Sequence, residues 1–282
     1  MRGIEVIANK GFTQIKKNGV QMGNGTISLF NVRMNVYVFC VDGVLIDTGS
    51  QSLEKQFRPF FDDLTIDQVA LTHYHEDHTG GAAFLQQKYQ LPILMNERMI
   101  EYCSKKADYP LYRKLFWGKR KPFAGKEVGS TFTSSHATWD VIETPGHSMD
   151  HLSFLNRQTG QLFTGDLYCT PRTKVVLREE HVPDIINSLK RALTYDFKEV
   201  YCCHAGYLEN GRQALQRKLD YLLGIQETII QQYKGGRTPE QINESLYPTK
   251  YPITKFSMGE WDSIHIINSI LIEYDKENKV LK

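Results

Sequence analysis

The sequence THYHEDHTGG, at residues 72–81, places three histidines and an aspartate within six positions. The chain before this motif predicts a short buried strand over 69–72, and the chain after it predicts a helix over 80–89. The motif therefore lies at a turn between a strand and a helix. A polar, solvated loop that happens to be rich in histidine is the alternative.

The spacing of the polar residues in this motif has a physical meaning. Alternate residues at the end of a strand point the same way, so we expect His73, His75 and Asp77 to converge on one side. His78 falls where the chain turns into the helix and is expected to aim at a neighbouring point. Imidazole nitrogens and carboxylate oxygens are ligands that zinc, iron and manganese accept, so the motif predicts a metal site.

Three further predicted strands are each followed by a histidine or an aspartate, namely His147, Asp166 and His204. The strands are expected over 140–144, 161–165 and 199–203. Loops at strand ends are where catalytic groups usually lie. Four strand ends thus deliver side chains that suit one metal site.

Together, the motifs THYHEDHTGG, TPGHSMDH, TGDLY and CCHAG resemble the metal-binding motifs of the metallo-β-lactamase-fold hydrolases. The upstream Asp47-Thr48-Gly49 resembles the Asp-Thr-Gly that precedes them in that superfamily. The resemblance covers residues 25 to 207. It implies an α/β fold in which two β-sheets pack face to face, with helices outside and metals at one edge, an αββα sandwich.

The resemblance also implies a site for two divalent metal ions, with Zn²⁺ expected and Mn²⁺ or iron as alternatives. Seven ligands are implied: His73, His75 and His147 for the first ion, Asp77, His78 and His204 for the second, and Asp166 as the bridge between them. A hydroxide bridging the two ions would be the nucleophile. Asp77 has the additional role of orienting it and passing on its proton. His151 matches a second histidine of the motif and is expected to support the ligands or to serve in packing, and not to bind metal.

The leading functional prediction is hydrolysis of a small thioester, ester or lactone, as in the glyoxalase II-like and lactonase-like branches. The substrate is expected to be anionic or to contain a carbonyl group. Glyoxalase II-like enzymes carry a tyrosine two residues after the last ligand, where this chain has Gly206, and the lactonase tyrosine is replaced by Cys169. Tyr168 is therefore the candidate for polarising a substrate carbonyl, although tyrosine is also common at sheet ends.

Two other activities of the same fold remain open: a zinc phosphodiesterase or nuclease, and a mononuclear iron sulfur dioxygenase. A binding protein that kept the fold without the activity is a third class. The basic, aromatic segment 97–126 bears on this choice, because it is a possible lid over the site. It predicts either recognition of an anionic substrate or nucleic acid, or a solvated helix pair with a packed aromatic side.

Composition indicates an ordinary globular protein, with 41% hydrophobic and 23% charged residues in a chain of 282. The formal charge of +2 makes nucleic acid an unlikely partner. The apolar run 36–46 is interrupted and too short to span a bilayer, so no membrane association is expected. Five cysteines and no visible secretory signal predict reduced thiols and a cytoplasmic location.

The N-terminal part predicts short edge strands over 4–7, 12–15 and 25–30, then a hairpin over 36–46 that turns at Asp42-Gly43. Asp47 ends this hairpin. An aspartate there can accept the free N–H of a metal-bound imidazole, although a simple turn-forming role is equally open. The expected catalytic domain spans 1–210.

Residues 211–282 predict a helical extension with an apolar stripe that includes Leu215, Leu219 and Leu222. Capping boxes are predicted at Thr238 and at Ser257, the second opening a helix that contains Trp261. The extension is interpreted as a cap over the substrate, as the surface of a homodimer, or as packing alone.

Overall fold

The first β-sheet has seven strands in chain order. The computed structural model describes residues 8–29 and 32–280. The strands are β1 (Asn9–Lys17), β2 (Val20–Leu29), β3 (Val32–Val41), β4 (Val44–Ile46), β5 (Gln68–Ala70), β6 (Ile93–Met95) and β7 (Gly125–Glu127). Neighbours from β1 to β4 run antiparallel, and those from β4 to β7 run parallel.

The second sheet has six strands in the order β14, β13, β11, β10, β9, β8. Their bounds are β8 (Thr131–Thr133), β9 (Thr138–Glu143), β10 (Leu152–Asn156), β11 (Gln161–Phe163), β13 (Glu199–Cys202) and β14 (Gly206–Leu208). A separate antiparallel pair joins β12 (Val176–Leu177) to β15 (Trp261–Asp262).

Ten α-helices flank these sheets in the described part of the chain. They are α1 (Glu54–Asp62), α2 (Glu76–Thr79), α3 (Ala82–Tyr89), α4 (Ile100–Cys103), α5 (Leu111–Trp117), α6 (Val182–Leu193), α7 (Gly211–Lys234), α8 (Pro239–Leu246), α9 (Pro252–Phe256) and α10 (Ile264–Val280). Short 3-10 helices cover Gln51–Leu53 and Glu97–Met99. No helix of 8–29 or 32–280 is long and apolar enough to cross a lipid bilayer.

Three hydrophobic clusters fill the spaces between the layers of the sandwich. Phe39 of the first sheet and Phe163 of the second belong to the cluster between the sheets. β4 shows how a strand serves two layers, because Val44 and Ile46 face this middle cluster while Leu45 faces the outer one under α1 and α3. The remaining cluster lies between the second sheet and α6, α7 and α10. The predicted αββα sandwich is confirmed.

The predicted hairpin at Asp42-Gly43 is present and connects β3 to β4. Both turn residues have positive φ, 50° and 75°, as a tight hairpin turn requires. A Cβ on Gly43 would lie 2.1 Å from a side-chain oxygen of Asp67, so the turn has no room for a larger residue. The hairpin places Asp47 beside the ligand motif.

The N-terminal strands differ from their prediction. Residues 12–15 lie within the longer β1, and 25–29 lie within β2, which is an interior strand between β1 and β3. Glycines weaken the strand pattern in the sequence, but Gly25 is needed where the strand passes under Phe57, 2.6 Å from the position of a Cβ. The predicted strand 4–7 falls outside the described residues.

The helical extension packs onto the second sheet rather than standing apart. Leu215, Leu219 and Leu222 of α7 and Ile267 of α10 share one cluster with Leu189 of α6. The strand pair β12–β15 adds a backbone connection between the extension and the preceding part of the chain. The apolar stripe of the extension is therefore buried within the chain itself.

One of the two predicted capping boxes is correct. Thr238 and Gln241 exchange hydrogen bonds at the start of α8, with N···O distances of 3.0 and 3.4 Å. The box predicted at Ser257 is wrong: Trp261 is in β15, and the last helix begins only at Ile264. Positive φ at Met258 and Gly259 turns the chain out of a helical path at that point.

Candidate metal centre

All seven predicted ligands lie together at one edge of the sandwich. The loop after β5 supplies His73 and His75, helix α2 supplies Asp77 and His78, and the loops after β9, β11 and β13 supply one ligand each. Their ligand atoms form overlapping groups in which every atom is within 4.8 Å of the others. Strands of two different sheets end at this edge, which is why residues as distant in the chain as His73 and His204 meet here.

The first group consists of three buried imidazoles. Nε2 of His73 is 3.0 Å from Nδ1 of His75, which is 3.0 Å from Nε2 of His147. The three side chains are turned so that one nitrogen of each points to a common centre. This is the arrangement predicted for the first ion.

The second group contains two imidazoles and two carboxylates. Nε2 of His78 is 3.6 Å from Asp77 Oδ2 and 3.5 Å from Asp166 Oδ1. Nε2 of His204 is 3.0 Å from Asp166 Oδ2, and the same oxygen is 3.4 Å from Nε2 of His147. Asp166 thus lies between the two groups, where a bridging ligand would be.

These side chains fit divalent metal ions. In a tetrahedral site with bonds of about 2.0–2.1 Å, ligand atoms lie about 3.3 Å apart, close to the separations seen here. Nε2 of His78 and Oδ1 of Asp166 are buried without a hydrogen-bond partner, which is costly unless something else binds them. Burial and the neighbouring His78 hold the pKa of His73 well below its usual range, so that imidazole is neutral and free to bind a cation.

Burial and the neighbouring carboxylates shift the pKa values of the ligand imidazoles in opposite directions. Burial opposes a charge on His204, but the carboxylates of Asp166 and Asp77 outweigh it and raise the pKa of His204 to about 10. Burial, with the Arg113 guanidinium adding to its effect, lowers the pKa of His75 to about 4. A metal binding at the second group therefore displaces a proton that the carboxylates otherwise hold there.

Each ligand histidine has a second partner on its other ring nitrogen. Such partners fix the tautomer and the orientation of a ligand imidazole. The pairs are His73 with Thr72 Oγ1 at 3.1 Å, His75 with Glu179 at 2.9 Å, His78 with Asp47 at 2.8 Å, His147 with Glu180 at 3.2 Å, and His204 with the Asn35 carbonyl at 2.6 Å.

Asp47 occupies the place predicted for it beside a ligand imidazole, and both it and His78 are fully buried. Glu179 and Glu180 were missed by the sequence reasoning. The only local signal is a pair of adjacent acids just before the start of α6, which belongs to no motif.

His151 supports the bridging carboxylate through the backbone. Its Nε2 accepts a hydrogen bond from the Asp166 amide at 2.9 Å, and its Nδ1 lies 2.8 Å from Thr144 Oγ1. Burial and the neighbouring His147 lower the pKa of His151 to about 3, so the ring is neutral. This is the supporting position that the motif predicts.

Tyr168 does not lie where the prediction needs it. Its side chain is buried in the cluster between the second sheet and the extension, together with Leu167. It is not among the residues that line the cavities beside the ligands, whereas Cys169 is. The chain turns directly after Tyr168, at Cys169, which has a φ of 47°. A role for its phenol on a substrate carbonyl is therefore not supported.

Two adjoining cavities reach the ligands. A narrow cleft of about 40 Å³ lies directly over them and is walled by Tyr112, Phe116, Trp117 and Trp261. A larger cavity of about 470 Å³ shares His147, Asp166, His204, Met34 and Trp261 with this cleft. A substrate would thus have a confined reacting centre and a roomier space beside it.

The two central arginines of the basic segment 97–126 are buried inside the fold. Arg113 is bound to Glu76, and Arg120 donates to the backbone carbonyl of Cys103 at 2.7 Å. Both arginines are buried, at 9% and 3% exposure. The aromatic residues of the segment pack inward, and some wall the cleft. The exposed lysines of the segment, such as Lys119 and Lys121, do not line the cavities beside the ligands.

A sequence model described as the metallo-beta-lactamase superfamily matches residues 35–204 of this chain. This protein belongs to the metallo-beta-lactamase superfamily. The fold of that superfamily implies the use of divalent metal. The matched residues contain all seven candidate ligands.

Several curated fungal members of the superfamily are similar in sequence. Thioesterase pkgB of Emericella nidulans is 35% identical over 130 residues, which are 44% of this chain and 32% of that protein. An atrochrysone carboxyl ACP thioesterase of Aspergillus fumigatus is 29% identical over 191 residues, 63% of this chain and 51% of that protein. This chain thus spans a third to a half of the length of these relatives.

Solved structures of superfamily members share the fold. A beta-lactamase domain protein from Burkholderia ambifaria aligns with a TM-score of 0.67 at 15% identity, over 93% of this chain and 89% of its own. A metallo-beta-lactamase family protein from Thermus thermophilus gives 0.60 at 16% identity, over 95% and 94%. Both alignments extend over the helical extension as well as the sandwich.

Proposed function

We propose that this protein is a two-metal thioesterase that hydrolyses the thioester of a small acyl group. The observation that carries the two-metal proposal is the complete set of seven ligands, each histidine with an outer partner. The thioester is favoured by the relatives named as thioesterases. The absence of tyrosine at the glyoxalase II and lactonase positions leaves the polarisation of the carbonyl to the metal site.

Divalent metal at this site, preferably Zn²⁺, supplies an electrophile that polarises a carbonyl and lowers the pKa of water from about 15.7 towards 7. The chain's own residues organise that chemistry. Asp47, Glu179 and Glu180 hold the ligand imidazoles in one tautomer through hydrogen bonds to their outer nitrogens. Asp166 is held in turn by His151 through its backbone amide.

Asp77 is the group placed to move a proton. Its carboxylate lies in the lining of the narrow cleft, beside His78 and His204. In the proposed reaction a water oxygen adds to the acyl carbon, the carbon–sulfur bond breaks, and Asp77 carries the water proton to the leaving sulfur. The products are a carboxylic acid and a thiol. The aromatic walls of the cleft exclude other water from the reacting centre.

The other activities considered receive less support. A nuclease needs several phosphate contacts, but Arg113 and Arg120 of the basic segment are buried in the fold, and its exposed lysines do not line the cavities at the ligands. A mononuclear iron dioxygenase would use the first group alone and would leave His78, His204 and Asp77 without a function. Esters and lactones remain chemically accessible to the same centre.

A panel of thioesters, lactones and phosphodiesters, assayed with zinc-loaded protein, tests this proposal. We expect thioester turnover that falls at least about 10²-fold in His75→Ala and Asp166→Ala, the loss typical of removing a central catalytic group. His136→Ala is the matched control, because that histidine is exposed and pairs with Asp42 rather than with a candidate ligand. Cleavage of phosphodiesters alone, or no thioester turnover with zinc, manganese or iron, would refute it.

A further inference from the structure

Lys218 is a buried cation without a buried anion beside it. The side chain lies on α7 at 4% exposure, and its Nζ donates one hydrogen bond, to the carbonyl of Tyr168 at 2.6 Å. Across 8–29 and 32–280, no carboxylate oxygen forms an ion pair with it. An ammonium group has three donors, and burying it unpaired is costly, so this position is set up for an anion.

Lys218 forms part of the wall of the larger of the two cavities at the metal centre. Lys218 lines this space of about 470 Å³ together with the ligands His147, Asp166 and His204. That volume is in the range of small-molecule sites. An anion held here would therefore belong to a molecule that also reaches the reacting centre.

Three more cations line the same cavity. Arg33, Arg172 and Lys174 are exposed and make no ion pair with any residue of the described ranges. Lys174 is held against the extension, with its Nζ 5.5 Å from the centre of the Tyr251 ring. The carboxylates in the lining are already engaged, Asp166 at the metal centre and Glu180 with His147.

We propose that this cavity binds the thiol half of the substrate and that this half carries a phosphate group. The inference rests on the proposed thioesterase function. Four cations are more than a single carboxylate needs, and they suit the charge of a phosphate. Apolar wall residues such as Val176 and Ile253 suit the flexible arm that joins a phosphate to a thiol, as in a 4′-phosphopantetheine group. The acyl half then lies in the aromatic cleft.

Three thioesters that carry the same acyl group on different thiols test whether the phosphate contributes to binding. The benzoyl thioesters of pantetheine and of 4′-phosphopantetheine differ only in the phosphate, the coenzyme A thioester adds a nucleotide, and all three share the reacting bond. With the zinc-loaded full chain, we expect kcat/KM for the two phosphorylated thioesters to exceed that for the pantetheine thioester about tenfold or more, with the difference shrinking as salt screens the charges. Benzoyl phosphopantetheine on an acyl carrier protein then shows whether a protein-bound or a free arm is preferred, and either preference supports the proposal.

Substitution of the exposed cations of the cavity tests which residues bind the phosphate. The triple variant Arg33→Gln, Arg172→Gln, Lys174→Gln should raise KM for the phosphorylated thioesters about tenfold with kcat nearly unchanged, and should leave the pantetheine thioester unaffected. The matched control is Lys16→Gln, Lys121→Gln, Lys190→Gln, which removes the same charge from exposed positions outside the cavity. Lys218→Met should have the same effect as the triple variant. If the Lys218→Met variant fails to fold, the triple variant still tests whether the cavity binds the phosphate.

The failure of this inference can be distinguished from failure of the proposed function. Equal kcat/KM for all three thioesters would overturn the phosphate subsite and leave the thioesterase intact. If no thioester is hydrolysed, the thioesterase proposal fails, and binding of coenzyme A alone, measured by calorimetry, tests the subsite. Binding weakened about tenfold in the triple variant and not in the control would then support it, and absent or unchanged binding would overturn it.

Discussion

The guanidinium group of Arg113 makes two parallel hydrogen bonds to the carboxylate of Glu76, with Nε 2.7 Å from Oε1 and Nη2 2.7 Å from Oε2. Glu76 lies in the ligand motif between His75 and Asp77, whereas Arg113 comes from the basic segment. Nη1 of the same arginine is 3.4 Å from Glu260 of the extension. One buried cation therefore joins the ligand loop, the segment above the cleft and the extension.

Breaking this pair should destabilise the protein strongly. We expect Arg113→Ala to lower the free energy of unfolding by about 3–5 kcal/mol, because it leaves the buried Glu76 carboxylate without its partner. Urea unfolding of the metal-loaded protein measures the change. Lys105→Ala, which removes the exposed pair with Glu101, is the control and should leave the midpoint unchanged. An equal midpoint for Arg113→Ala would show that the pair is not a structural link.

Metal analysis should find two ions at the candidate centre. Protein purified without chelator and supplied with zinc is expected to retain about two ions per chain, because each ligand group can hold one. Asp166→Ala should weaken both, since its two oxygens face both groups. His136→Ala should keep the full content. A reproducible value of one ion or fewer in the unaltered protein would count against the bridging position of Asp166.

Asp47 should matter for metal affinity although it is not itself a ligand. Asp47→Asn weakens the acceptor for the Nδ1–H of His78, and loss of such a partner typically lowers metal affinity about 10–100-fold. Asparagine tolerates the positive φ of 57° at this position, so the backbone should be preserved. Competition with a chelator measures the affinity.

The control for this substitution is Asp42→Asn, at the other end of the same hairpin strand. Asp42 also has a positive φ, but its carboxylate binds the exposed His136. Metal affinity should be unchanged in this variant. If both substitutions, or neither, weakened metal binding, the supporting role of Asp47 would be contradicted.

Two adjacent leucines of α7 distinguish buried packing of the extension from a loosely attached helix. Leu222 is 1% exposed within the cluster shared with α6, and Leu223 is 37% exposed. We expect Leu222→Ala to cost about 2–5 kcal/mol of unfolding free energy, the usual cost of a cavity in a core. Leu223→Ala should cost much less. Equal, small effects of the two substitutions in urea unfolding would mean that the extension does not contribute to the main core. If the extension does contribute, deletion of residues 211–282 should expose apolar surface and cause aggregation.

The amino-acid sequence was sufficient for the class of fold and for choosing candidate ligands that the structure brings together. His73, His75, Asp77 and His78 lie within six residues at the end of one strand, so local backbone geometry already brings them together. His147, Asp166 and His204 could be added because each follows its own predicted strand in a recognisable motif. The Asp42-Gly43 turn was equally predictable, because few residue pairs adopt its backbone conformation.

Other features depended on contacts between distant parts of the chain. Glu179 meets His75 across 104 positions, and Lys218 meets the cavity only because α7 packs onto the second sheet. Tyr168 could have faced the metals by its position in the sequence, but it is buried in the apolar cluster between the second sheet and the extension. A motif specifies which side chains a short segment carries, whereas the packing of separate layers decides which of them face the same space.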